Sequence, residues 1–214
     1  MTRFLPILLL LVLSVSACSK VEQAPGPYAM DPEEFEKWEI ALVEMRIEKN
    51  EAFADAQQTP LREADVPGFE GLNYYFPKAE LRFKTPLIPD EGNETVYLTK
   101  RKGETVPYAR RGKVAFTHEG QVHHLDVFGP ADTAGGDYLW LPFFDATSGQ
   151  DTYPGGRYLD LAVDDEGLVD LDFNYAYNPL CDYNPDKFNC TLPPPGNKLP
   201  FAVEAGEQSF HPGH

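Results

Sequence analysis

Asp160 and Asp172 are the side chains best placed to act together as a catalytic or ion-binding pair. They flank Asp164-Asp165-Glu166-Gly167, which reads as the turn of a β-hairpin. For Leu159, Leu161 and Val163 to face the same core as Val169, Leu171 and Phe173, residue 161 must pair with 171. That register needs an odd-length, bulged turn with Gly167 in a left-handed conformation. A two- or four-residue turn would pair Leu161 with Asp170 and carry charge into the core. The expected register sets Asp160 opposite Asp172, with Tyr158, Asp170 and Asn174 on the same face. Carboxylates directly across a ladder stand about 5 Å apart and repel. Solvent, a basic side chain (Arg82, Arg110 or Arg111), a divalent cation such as Ca2+, or a proton held by one of the pair would relieve the repulsion. An exposed acidic face is the simplest of these. The chemical alternative is a carboxylate-dependent hydrolase, assisted by a divalent cation, using Asp160 and Asp172.

Tyr158 and Asn174 are the ligand-binding candidates on that face, and Tyr153, Arg157, Tyr177 and Asn178 flank the same strands with polar groups. Arg157 has the opposite parity from Asp160, so its simpler role is a clamp on loop carbonyls. His118 and His123 become diagonal neighbours if Glu119-Gly120 forms a two-residue turn. Two imidazoles can seed a zinc or copper site, but no third ligand lies near in sequence, and packed rim histidines are the plainer expectation. Asp145-x-Thr147-x-Gly149-x-Asp151 alternates oxygen ligands as a calcium loop does. Gln150 and Gly156 stand where an EF-hand needs Gly and Glu, which excludes that motif and leaves a turn. Gly-x-Ser-x-Gly, His-Glu-x-x-His, the P-loop and Gly-x-Gly-x-x-Gly are all absent from the sequence. No resident cofactor is expected.

Asp31-Pro32-Glu33-Glu34 is a helix start, with Asp31 as N-cap and Pro32 at the first position. Phe35, Trp38, Leu42, Met45 and Phe53 recur at helical spacing, and Ile40, Val43 and Ile47 widen the stripe. One amphipathic helix to about Ala56 is predicted. Its many acids read as a solvated face, or as an acidic docking surface for a partner. Beyond Thr59-Pro60 the period becomes two. Strands are predicted at Gly71 to Phe76, Ala79 to Phe83, Thr95 to Arg101, Val106 to Tyr108, Lys113 to His118, Gln121 to Phe128, Asp137 to Phe143, Arg157 to Val163 and Leu168 to Asn174. No helix-length pattern separates these strands, so parallel crossovers are excluded. The fold class is mainly β (α+β): an antiparallel sandwich or barrel-like domain with an N-terminal amphipathic helix, spanning residues 31–214 as one unit.

The C-terminal third carries a resemblance. Thr152-Tyr153-Pro154-Gly155-Gly156-Arg157-Tyr158-Leu159, Leu171-Asp172-Phe173-Asn174, Ala176-Tyr177-Asn178-Pro179, Leu192-Pro193-Pro194-Pro195 and Ala205-Gly206-Glu207 resemble the bacterial domain of unknown function 1684 family. Phe69-Glu70-Gly71-Leu72-Asn73-Tyr74-Tyr75-Phe76-Pro77 fits the same pattern. The resemblance implies a single domain and carries over no catalytic residues.

The chain has 34 acidic and 18 basic side chains among 214 residues, a formal net charge of −16, with 13% aromatic residues. The aromatic content supports a packed core, and the charge argues against nucleic acid and against adsorption on anionic lipid. At the N-terminus Arg3 precedes an apolar run from Phe4 to Leu13, then Val15-Ser16-Ala17-Cys18. This has the form of a signal peptide, too short to span a bilayer, ending in a lipobox. Residues 1–17 would be removed, Cys18 lipidated, and 18–30 left as a tether to a membrane. Ser19 after the cysteine leans the destination towards the bacterial outer membrane. With Cys18 so used, Cys181 and Cys190 remain as a pair, expected to be a disulfide in an oxidising compartment and to contribute about 2–3 kcal/mol. The resulting expectation is a cell-envelope lipoprotein, non-enzymatic, that binds a ligand or partner through a β-rich domain.

Overall fold

The structure is a computed structural model that describes residues 24–92, 94–132 and 138–211. The signal peptide expected at residues 1–17 and the lipidation expected at Cys18 lie outside the described residues.

Helix α1 (Pro32–Ala54) starts where the sequence places it, with the Asp31 carboxylate accepting the Glu34 amide at 2.9 Å. Its buried face differs from the expected stripe. Trp38, Leu42 and Phe53 are buried, but Phe35, Ile40, Val43 and Ile47 remain 40%, 50%, 44% and 51% exposed. The helix lies on polar as well as apolar ground. Arg46 donates to the Tyr75 carbonyl, Asn50 accepts the Leu72 amide, and Lys49 pairs with Glu207. Meeting those partners turns the apolar residues at 40, 43 and 47 outward.

The strands are β1 (Arg82–Pro86), β2 (Ile88–Pro89), β3 (Thr95–Thr99), β4 (Thr105–His118), β5 (Gln121–Pro130), β6 (Leu139–Phe143), β7 (Arg157–Leu161) and β8 (Leu168–Asp172). All of their pairings are antiparallel. One sheet runs β2-β4-β5-β6-β7 with β3 also beside β4, and β1 pairs with β8 in a second. The two share one core. Val114, Phe116, Leu125, Leu141, Phe143 and Leu159 of the large sheet pack with Phe83 of β1 and Val169 and Leu171 of β8. A helical stretch (Ala79–Leu81) replaces the first half of the strand predicted at Ala79 to Phe83, and Gly71 to Phe76 contributes only a bridge from Tyr74 to Glu207. Val106 to Tyr108 is no separate strand but part of β4.

Local turn chemistry sets register where it acts alone. Glu119 and Gly120 both have positive φ, as a primed hairpin turn demands, and His118 pairs with Gln121, Phe116 with His123 and Val114 with Leu125. At the second hairpin Gly167 is left-handed (φ +80°) and Val163 stands opposite Val169, the expected register. The strands then part: β7 continues on β6 and β8 on β1. Asp160 therefore faces Trp140 and Asp172 faces Arg82, so the cross-ladder carboxylate pair expected from sequence does not form.

The segment after Lys198 has no helix or strand and is held by Arg157. The guanidinium is fully buried and donates to the Ala205 and Glu207 carbonyls through Nη1. Through Nη2 it reaches the Val203 carbonyl and the Asp145 carboxylate, each at 2.7 Å. The clamp expected for Arg157 is what the structure places there. Cys181 and Cys190 form a disulfide that ties the short helix α2 (Leu180–Tyr183) to the strand-like stretch crossing back to β3.

Candidate functional site

The outward parity of β6 and β7 builds a cleft. Leu139, Leu141 and Phe143 point into the core, leaving Trp140 on the other face; Leu159 and Leu161 do the same for Tyr158 and Asp160. Tyr108 of β4 stacks on Trp140 with ring centroids 5.0 Å apart. Tyr158 meets Trp140 edge-on at 4.8 Å, and Tyr177 stands perpendicular to Tyr158 at 5.7 Å. Reciprocal backbone bonds between Tyr158 and Tyr177 fix that last contact. With Tyr138, with Lys49 and Phe53 of α1 and with Tyr183 of α2, these rings enclose a volume of about 490 Å³. Such size and apolarity suit a small molecule.

Two carboxylates bracket the cleft. At the rim, Asp160 Oδ1 accepts the Tyr138 and Tyr177 hydroxyls, each at 2.7 Å, while Oδ2 takes no hydrogen bond from the described residues. Burial, reinforced by Asp160, pushes both phenols well above their ordinary range, so they stay protonated and donate. At the inner end, buried Glu207 pairs with Lys49 and accepts the Tyr183 hydroxyl at 2.5 Å and the Asn178 amide at 2.8 Å. The Lys49 ammonium lies over three rings, 5.3 Å from Tyr177, 5.6 Å from Phe53 and 6.0 Å from Tyr183.

The polar side chains along the walls are largely committed. Tyr108 and Thr191 share a hydroxyl bond, Tyr158 donates to the Thr191 carbonyl, and the Asn189 amide donates to Glu104. The Asn178 amide donates to Asp182 and to the Gln208 carbonyl, and its Oδ1 is buried without a partner.

Of the residues singled out from sequence, Tyr158, Tyr177 and Asn178 line this cleft, and Asp160 stands beside it through its bonds to Tyr138 and Tyr177. The others lie elsewhere. Asp172 sits beneath α1, accepting the Trp38 indole N–H at 2.6 Å and both nitrogens of Asn174, and burial raises its pKa. Asn174 is spent on Asp172 and on both backbone groups of Lys78. Tyr153 lines a separate cavity of about 300 Å³ with Arg62, Arg101, Asp182 and Ser209. His118 and His123 pack against Phe201, with ring centroids 4.3 and 4.9 Å away, and burial lowers the His123 pKa, helped by His118. Among the described residues no group of three or more His, Cys, Asp or Glu side chains is arranged to hold a metal ion. Asp145 organises a turn, accepting from Thr147, Ser148, Arg157 and Val203.

Sequence reasoning missed Tyr108, Trp140, Lys49 and Glu207. The signal for part of this was present: Tyr138-x-Trp140 and Tyr158-x-Asp160 both place a ring pair or a ring and an acid on one strand face.

Fold and site together define an antiparallel β domain with one aromatic cleft beside its large sheet. The chain belongs to the family described as protein of unknown function (DUF1684), which matches residues 67–208. A solved relative is the uncharacterized protein from gene locus rrnAC0354 of Haloarcula marismortui, determined by solution NMR. It is 36% identical, with a TM-score of 0.63, over 82% of this chain and 96% of that one. No curated protein matches the chain. The matched region contains the strand walls and both bracketing acids of the cleft but not Lys49 and Phe53, which come from α1.

Proposed function

We propose that this protein is a ligand-binding lipoprotein of the bacterial cell envelope, tethered through Cys18, that takes a small molecule into the cleft between β6, β7 and α1. The aromatic cleft carries the reading. An open volume walled by Tyr108, Trp140, Tyr158 and Tyr177 offers large stacking faces, and their geometry is fixed by strand pairing and by hydrogen bonds rather than by mobile loops. The carboxylate-dependent hydrolase loses its basis, since Asp160 and Asp172 sit on different ladders with different partners.

Trp140 is one of two tryptophans in the chain, so intrinsic fluorescence reports on the cleft. Titration with a panel of small ring-bearing and alkyl compounds is expected to give a saturable change in emission that Trp140→Phe abolishes. A panel that leaves Trp140 unperturbed, with no heat of binding by calorimetry, would overturn the reading. The anchor has its own test: Cys18→Ala is expected to move the protein from the membrane fraction to the soluble one, and continued retention would count against lipidation.

A further inference from the structure

We infer that the ligand is an organic cation: an alkyl- or quaternary-ammonium group presented on an apolar body and received between the cleft rings and Asp160. The inference rests on the binding role proposed above and names the ligand's chemistry.

The cleft leaves few of its groups unspent. An anion needs a free positive charge, and Lys49, the cation on the cleft wall, is already paired with Glu207. A sugar needs several uncommitted hydroxyl and amide groups. The tyrosine hydroxyls and asparagine amides of the wall are instead bonded within the protein. What remains is the faces of the rings and, beside them, the second oxygen of Asp160, whose first oxygen is held by the wall residues Tyr138 and Tyr177. Ring faces and carboxylate oxygens are both regions of negative potential. Set side by side they attract a cation whose charge is spread over methyl or methylene groups, which water solvates weakly.

Formal charge points the same way. Glu207 neutralises Lys49, and Asp160 adds one negative charge at the rim. The phenols of Tyr138 and Tyr177 donate to Asp160, and that donation makes their rings more electron-rich. The inner end already holds an ammonium in this manner, with Lys49 Nζ lying over the rings of Tyr177, Phe53 and Tyr183. Elsewhere in the cleft Trp140 and Tyr158 meet edge to face, Asp160 stands beside them bound to the wall residues Tyr138 and Tyr177, and Lys49 is the one cation among the described lining residues.

The test is calorimetric titration of the full-length protein with choline and with 3,3-dimethylbutanol, which replaces the quaternary nitrogen by carbon at nearly constant shape, and with methyl glucoside. Trp140 emission locates the binding. Choline is expected to bind on the order of tenfold more tightly than its neutral isostere. Asp160→Asn, at the solvent-exposed rim, is expected to keep the fold and erase most of that preference, and Trp140→Phe should weaken choline several-fold. Equal or tighter binding of the isostere, or binding of methyl glucoside alone at Trp140, overturns the cationic ligand and leaves the cleft as a binding site. Failure of all three to perturb Trp140 overturns the cation and counts against the binding role as well.

Discussion

Trp140 and Asp160 stand directly opposite each other on β6 and β7, so the ring that walls the cleft and the acid at its rim occupy one register position of one ladder. A slip of one residue would send both into the core and bring Leu139 or Leu161 out. The cleft is therefore as rigid as the sheet that carries it, and what varies with conditions is the protonation of the groups around it.

The phenols give the first prediction. Burial pushes Tyr158, Tyr177 and Tyr183 above the ordinary phenol range, with Asp160 adding to the effect at Tyr177 and Glu207 at Tyr183. A folded pKa above the unfolded one contributes stability that is complete below pH 10 and is lost as pH rises beyond it. Absorbance near 295 nm should therefore show some tyrosines ionising normally and a second group ionising only as the protein unfolds in alkali. A single ordinary titration of every tyrosine would contradict the cleft geometry.

Asp182 gives the second, in the opposite pH range. Burial pushes its carboxyl up to about 6, offset in part by hydrogen bonds from Phe210, Ser209 and Asn178. Between the ordinary carboxyl range and pH 6 the folded state binds more protons than the unfolded, so stability falls as pH rises through that window. Relative to Asp182→Asn, the native protein should lose about 2–3 kcal/mol between pH 4 and pH 6.5, read from urea midpoints. A gap that does not change with pH would refute the assignment, whatever the offset between the two proteins.

The third concerns Arg157 and Asp145, a pair with side chains 1% and 0% exposed. Arg157→Met leaves the Asp145 carboxylate buried beside fewer donors, which should cost about 3–5 kcal/mol and lower Tm by on the order of 10 °C. Arg157→Lys keeps the charge but cannot reach three carbonyls and a carboxylate with one ammonium, so it should recover little of the loss. Full thermal stability of the lysine variant would show that the forked geometry is dispensable.

Helix α1 gives the fourth. Leu42 is fully buried and Ile47 is half exposed, although both belong to the apolar pattern. Leu42→Ala should cost about 2–4 kcal/mol, while Ile47→Gln should stay within about 0.5 kcal/mol of the native protein by chemical denaturation. Equal costs would mean that the helix is rotated from the orientation described.

These contrasts show where the sequence was readable. The β4/β5 hairpin and the tip of the second hairpin were legible in detail, because turn residues and alternation settle register locally. The partners of β7 and β8 beyond that tip were not. Several strands offer the same alternation, and choosing β6 for one and β1 for the other depends on how the layers close. Helix α1 was legible as a helix through its cap, yet its inner face was misjudged because Arg46 and Lys49 are turned inward by the Tyr75 carbonyl and Glu207, 29 and 158 residues away. Apolar periodicity has no access to such pairings. Arg157 was legible through parity alone, whereas the cleft required knowing that Tyr108 would lie over Trp140.

The buried arginine has one more consequence, for the order in which the molecule can be completed. A nascent chain that has reached Lys198 already contains the described strands, both α-helices and Asp145, but none of the carbonyls at Val203, Ala205 and Glu207 that Arg157 binds. It also lacks the carboxylate that anchors Lys49. Synthesis must run past Glu207 before either cation has all its partners, so shorter products leave Arg157 with Asp145 alone and Lys49 without its carboxylate. Quality control is thereby written into Val203, Ala205 and Glu207: a chain that stops before them has both its core and its cleft unsealed.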